Sequence, residues 1–165
     1  DATLARGDSS QAQEHCRQAL ALSVELQDQG ELASALYTLC RIHRAQGDLT
    51  TAQIHGKRSL ALFRRAGDRK SQAQVLYQLS AIDAGLGDYQ AAHEAASESL
   101  ELCEALADEW GMVHVMLTLG DILQSLGQTV EAHELWLKAL QIAERLKHPL
   151  LGSLQRRSSR DDAPT

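Results

Sequence analysis

Aromatic residues are scarce in this chain of 165 residues: one Phe, two Trp and three Tyr. A core built with so few rings must be mostly Leu and Ala, which suits closely packed helices. Proline is rarer still, with only Pro149 and Pro164, so no proline interrupts a helix before residue 149. No run approaches the roughly 18 consecutive apolar residues of a membrane span, and no membrane partner is expected. The three cysteines, Cys16, Cys40 and Cys103, are odd in number and scattered, with no CxxC pair. They point to small-hydrophobe packing in a reducing compartment, hence a cytoplasmic protein, rather than to disulfides or a metal.

The chain also lacks the motifs that carry chemistry. It has no HExxH pair, no glycine-rich loop that could cradle a phosphate, no supported Ser-His-Asp arrangement and no pocket-forming pair of carboxylates. Seven histidines are present, and His15 with His55, and His93 with His133, recur at equivalent positions. Packed helices lie about 8–10 Å apart, too far for equivalent positions to share a zinc ion held at about 2 Å per bond. No catalytic residue, cofactor or metal is expected, and the chain is read as a non-enzyme.

What the sequence does have is a period of forty. Tight turns read Gly7-Asp8, Gly47-Asp48, Gly87-Asp88 and Gly127-Gln128. Ala12, Ala52, Ala92 and Ala132 follow at a fixed distance, then Ala19-Leu20, Ser59-Leu60, Ser99-Leu100 and Ala139-Leu140. Such a period marks a solenoid, whose units bury their apolar faces by stacking on one another. Apolar residues spaced by three and four predict a helix A at 31–46, 71–86 and 111–126, and a helix B at 9–27, 49–66, 89–107 and 129–147. Gly47, Gly87 and Gly127 are expected to end helix A in the left-handed conformation, and Asp48 and Asp88 to cap helix B. Helix B is expected to stop at Gln29-Gly30, Gly67-Asp68 and Ala107-Asp108. The expected organisation is a single solenoid over 1–157: a partial repeat 1–30, repeats 31–70, 71–110 and 111–148, and a closing helix near 150–157. A disordered tail is expected over 158–165. Because Asp1 falls inside a repeat, an excised piece of a longer protein is expected.

Leu119-Gly120 in helix A, Gly87-Asp88-Tyr89 at the turn, Ala92 and Ala139-Leu140 together resemble the tetratricopeptide repeat over about residues 1–155. The family's usual proline after helix B is missing, and the period is 40 rather than the common 34. This long form is similar to the repeats of kinesin light chains, peptide-sensing bacterial regulators and large bacterial signalling ATPases and transcription factors. The resemblance implies an all-α, right-handed superhelix of antiparallel helix pairs. It also implies a scaffold or sensor module for a protein or peptide segment, in a bacterial regulatory protein, without catalysis. In that family helix A lines the concave surface, through positions that here are Ser34, Tyr37, Thr38, Arg41 and Arg44, then Gln74, Tyr77, Gln78, Ala81 and Ala84, then His114, Leu117, Thr118, Asp121 and Gln124. Arg41 and Arg44 beside Tyr37 suit an acidic residue of the partner, with its apolar side chains toward Tyr77 and Leu117. The family's chaperone-tail clamp uses asparagines, and this chain has none.

Charge is distributed in blocks. Residues 41–70 hold eight Lys or Arg against Asp48 and Asp68, whereas residues 71–135 hold eleven Asp or Glu and no Lys or Arg. A solvated outer face accounts for charge but not for this segregation. It suggests a basic partner or, as an alternative, a homodimer in which opposite blocks of two copies pair. A sensor for a small inducer is the other alternative. The net charge of −6 and a basic stretch without interleaved aromatics exclude nucleic acid as a partner of this region.

Overall fold

The computed structural model describes residues 28–159. Seven helices are found there: α1 (Gln29–Ala45), α2 (Leu49–Ala66), α3 (Arg69–Gly85), α4 (Tyr89–Ala105), α5 (Glu109–Ser125), α6 (Thr129–Leu146) and α7 (Leu151–Ser158). There is no strand among the described residues. The partial first repeat and its helix at 9–27 lie outside them, as does the tail beyond Ser159.

Turn chemistry sets the boundaries. Gly47, Gly87 and Gly127 take φ of 82°, 85° and 80°, a region that costs an L-residue roughly 1–2 kcal/mol. Each closes a helix A with two backward bonds, as when Asp48 and Gly47 donate their N–H groups to the carbonyls of His43 and Arg44. Aspartates then open the next helix. Asp48 and Asp88 accept from the N–H groups of Thr51 and Ala91, and Asp28, Asp68 and Asp108 do the same for α1, α3 and α5. Gly30, expected as a terminator, lies instead inside α1, because the Asp28 carboxylate captures its amide and Glu31's and starts the helix earlier.

Two positions depart from this scheme. Gln128 makes no side-chain bond at the start of α6. Gln128→Asp should therefore add about 1 kcal/mol, read as a rise in urea midpoint. Ala107, with φ of 52°, occupies a left-handed position that Gly67 fills one repeat earlier. Ala107→Gly relieves that strain and should stabilise by roughly 0.5–1 kcal/mol, measured the same way.

Successive helices pack antiparallel, and α1 touches α3 as α3 touches α5. The A helices thus form the crowded inner layer and the B helices the outer one. Ala33, Ala73, Ala92, Ala96, Ala132, Ala139 and Ala143 are buried at the helix crossings, where small residues let the backbones approach. Buried Ser59 and Ser99 each donate a hydroxyl hydrogen bond of 2.8 Å to a carbonyl of the paired helix A, at Ala33 and Ala73. Leu36, Leu39, Val75, Leu76, Leu79, Val115, Met116, Leu119 and Ile122 fill the space between pairs.

One crossing changes composition from repeat to repeat. Helix A carries Cys40, Ser80 and Gly120 at equivalent positions, and helix B answers with Gly56, Ala96 and Trp136. A Cβ on Gly56 would stand 3.1 Å from the Cys40 sulfur and 2.8 Å from Leu79 Cδ2. On Gly120 it would meet the Trp136 indole, at 2.6 Å from Cδ1 and 2.8 Å from Cε2. Trp136 is 2% exposed, and its Nε1–H donates to the Leu117 carbonyl at 3.3 Å.

The last helix closes one end. Leu154 of α7 is fully buried, and Arg157 grips the Asp121 carboxylate with two bonds, at 2.6 and 2.8 Å.

Candidate functional site

A cavity of about 320 Å³ opens on the inner layer where α1, α3 and α5 meet. Its floor is small or apolar: Ala73, Ser99, Cys103 and Val115. Tyr37 and Arg41 form the α1 wall, Gln74, Tyr77 and Gln78 the α3 wall, and Asp108, Trp110, Gly111 and His114 the α5 wall. Spacing explains each wall, since residues separated by three and four share a helix face. The volume falls within the range of about 300–1,000 Å³ typical of ligand sites.

Of the residues expected on the concave surface, Tyr37, Arg41, Gln74, Tyr77, Gln78 and His114 come together around this cavity. The others are occupied elsewhere or stand outside it. Ser34 and Thr38 turn their hydroxyls back to the carbonyls of Gly30 and Ser34. Arg44 and Gln124 do not line it. Leu117 packs against the core, and Asp121 is held by Arg157. Sequence reasoning missed Trp110 and Asp108, which lie at the turn between repeats rather than on the five groove positions. The signal was there in one form: Trp110 is a large aromatic in a ring-poor chain, and it is 49% exposed.

The electrostatics of the cavity are uneven. The Arg41 guanidinium lies 5.8 Å from the centre of the Tyr37 ring, a cation over an aromatic face. Burial raises the Tyr37 hydroxyl above the ordinary tyrosine value, against the pull of Arg41. Burial likewise pushes the Cys103 thiol up to about 11, with Asp108 adding to the shift. That keeps it a protonated, unreactive floor residue near neutral pH. On the opposite wall Tyr77, His114, His148 and Trp110 form a row of rings, with centroids 6.0, 4.8 and 4.1 Å apart in turn. Burial lowers the pKa of both His114 and His148, so the row is neutral at pH 7.

Among the described residues no group of three or more His, Cys, Asp or Glu could hold a metal ion, and no helix is long and apolar enough to cross a membrane. The segregated charges are joined partly inside the molecule. Arg64 meets Glu98 at 2.7 Å and Arg145 meets Glu109 at 2.6 Å, each reaching from one repeat to the next, as Arg157 does to Asp121. Exposed pairs of this kind contribute about 1 kcal/mol or less each.

Family models described as tetratricopeptide repeat match residues 31–105 and 113–146. The chain belongs to the tetratricopeptide repeat family. That family generally supplies protein-interaction scaffolds without catalysis. Solved structures agree on the fold. The apo form of RapI superposes with a TM-score of 0.86 at 18% identity, over 94% of this chain and 57% of that one. A kinesin light chain of Podospora anserina with nearly identical TPR-like repeats gives 0.77 at 18% identity, over 94% and 78%. BtubC from P. vanneervenii gives 0.69 at 17% identity, over 90% and 60%. The chain thus spans less than two thirds of the length of RapI and BtubC. No curated protein matches it in sequence. The repeat is a right-handed solenoid of antiparallel pairs, and its helices of 17 and 18 residues account for a period longer than the common one.

Proposed function

We propose that this region is a binding scaffold for a protein or peptide segment, seated in the concave groove, and performs no catalysis of its own. The cavity between α1, α3 and α5 carries the reading, because it joins one stacked arginine, two tyrosines and a half-exposed tryptophan. Tyr, Trp and Arg are the residue types in which binding energy concentrates at interfaces. Arg41 favours a segment with an acidic residue, since a guanidinium fork takes a carboxylate through two charge-assisted bonds. A cytoplasmic regulatory protein of bacterial type, larger than this chain, is the setting that fits an acidic, cysteine-poor module covering part of its structural neighbours.

Selection from a random peptide display library, followed by amide-resonance mapping with the selected peptides, tests the reading. The perturbed amides should cluster on the inner faces of α1, α3 and α5. Arg41→Ala should weaken binding by about tenfold or more, whereas Arg65→Ala, on the outer face of α2, should leave it unchanged. Peptides that bind but perturb only α2 and α4 would move the functional surface to the convex side.

A further inference from the structure

Gln78 is the least expected member of the groove. It is 8% exposed, yet it lines the cavity, and its Oε1 has no hydrogen-bond partner among the described residues. The other end of the amide lies against the Tyr37 hydroxyl, where it favours the ionised form. A buried carbonyl oxygen without a donor is costly, and nearly all such groups in folded proteins find one. The cavity is the open side from which a donor can come. A peptide offers one at nearly every residue, its backbone N–H, independent of side-chain identity.

Arg41 stands on α1 and the slot bounded by Tyr77, Trp110 and His114 lies across α3 and α5. Adjacent helices are spaced by about 8–10 Å, which an extended chain rising about 3.1 Å per residue covers in three residues. Three residues is also one turn of a polyproline II chain, so positions i and i+3 face the same wall. That conformation makes no internal hydrogen bonds and leaves its N–H groups free.

We propose that the groove holds an extended peptide by main chain and side chains together. Gln78 Oε1 accepts one backbone N–H, an acidic side chain reaches Arg41, and a bulky apolar side chain three residues away fills the slot of Tyr77, Trp110 and His114. This rests on the concave-groove reading above and adds to it a spacing and a main-chain contact.

The test uses short, capped alanine peptides carrying one glutamate and one tryptophan, with their separation varied, measured by fluorescence anisotropy. A separation of three, in one of the two orders, should bind about tenfold more tightly than the others. N-methylation, moved along that peptide one amide at a time, should cost about tenfold at a single position. Gln78→Leu should weaken the parent peptide by a similar factor and abolish that single-position penalty, while Gln78→Glu, which keeps an acceptor oxygen, should preserve both. Thermal melts of each variant identify any that fails to fold, and Gln78→Glu then carries the comparison with wild type. Affinity independent of spacing, or N-methylation tolerated at every amide, overturns the inference, as does a series in which no peptide binds. In each of these cases the groove reading stands if library-selected peptides still map to the inner faces and lose affinity in Arg41→Ala. It falls with the inference only if they do not.

Discussion

Gly120→Ala should destabilise the protein by about 3 kcal/mol or more, although it adds a single methyl group to a helix. Alanine in place of glycine normally strengthens a helix by roughly 0.5–1 kcal/mol. Here the new Cβ would stand 2.6 and 2.8 Å from atoms of the Trp136 ring, in an interior where neither helix has room to retreat. Overpacking of this kind typically costs about 1–3 kcal/mol, and more where backbone must move. Trp136→Ala alone should cost about 3–5 kcal/mol through the cavity it leaves and the orphaned contact to the Leu117 carbonyl. The double change Gly120→Ser with Trp136→Ala rebuilds the pairing found one repeat earlier, Ser80 with Ala96. It should recover a large part of the loss, giving a coupling of about 1–3 kcal/mol in a double-mutant cycle by urea denaturation. Strict additivity of the two changes would show that the crossing tolerates rearrangement and that size matching is not what holds it.

Mild acid should loosen the C-terminal pair before carboxylates begin to titrate. His148 is 2% exposed, and its Nδ1 accepts the Leu150 N–H at 3.1 Å, which leaves the ring neutral with its proton on Nε2. Burial lowers its pKa, and the nearby His114 lowers it further. His114 is itself lowered by burial, with Asp108 in opposition, and His55 is lowered by burial and then by His43 and Arg58. The unfolded chain therefore binds protons at these sites more readily than the folded one. Their contribution is fully present above the unfolded histidine value of about 6.5 and is lost as pH falls through it toward the lower folded values. The urea midpoint should decline between about pH 7 and pH 5, a window above the carboxylates Asp48, Asp68 and Glu109, whose pKa values hydrogen bonding holds low. His148→Ala should cost about 3 kcal/mol at pH 7.5, from the lost ring and the unpaired Leu150 amide, and visibly less at pH 5. A penalty equal at both pH values would show that His148 does not titrate in this window.

The fold was legible because its determinants are local and repeated. A Gly-Asp turn states both where one helix must stop and where the next begins, and forty-residue recurrence says the same thing several times. The aspartates at Asp28, Asp68 and Asp108 carried the missing boundary information in the same chemical language. The groove was legible only in part, for a physical reason. Positions such as Arg41, Tyr77 and Gln78 follow from helical spacing along a known face, whereas Trp110 arrives from a turn and Asp121 is removed from the groove by Arg157 on α7. Both depend on contacts between repeats, which a pattern within a repeat does not record. The charge blocks were visible as numbers, but their partial cancellation through Arg64, Arg145 and Arg157 is likewise a contact between neighbours.

The graded crossing of Cys40 with Gly56, Ser80 with Ala96 and Gly120 with Trp136 bears on how such a chain avoids assembling out of step. Near-identical repeats carry a hazard, since a helix A can dock on the wrong helix B, from a distant repeat or from another molecule, and domain-swapped chains result. Here each inner helix offers a recess of a different depth, and each outer helix a plug of a different size. Trp136 set against Cys40 or Ser80 would find its space already taken, and Gly56 set against Gly120 would leave a void. Three side-chain pairs thus act as an address, and levelling them to one common pair should leave each repeat foldable while letting the array slip, visible as swapped oligomers during refolding at high concentration.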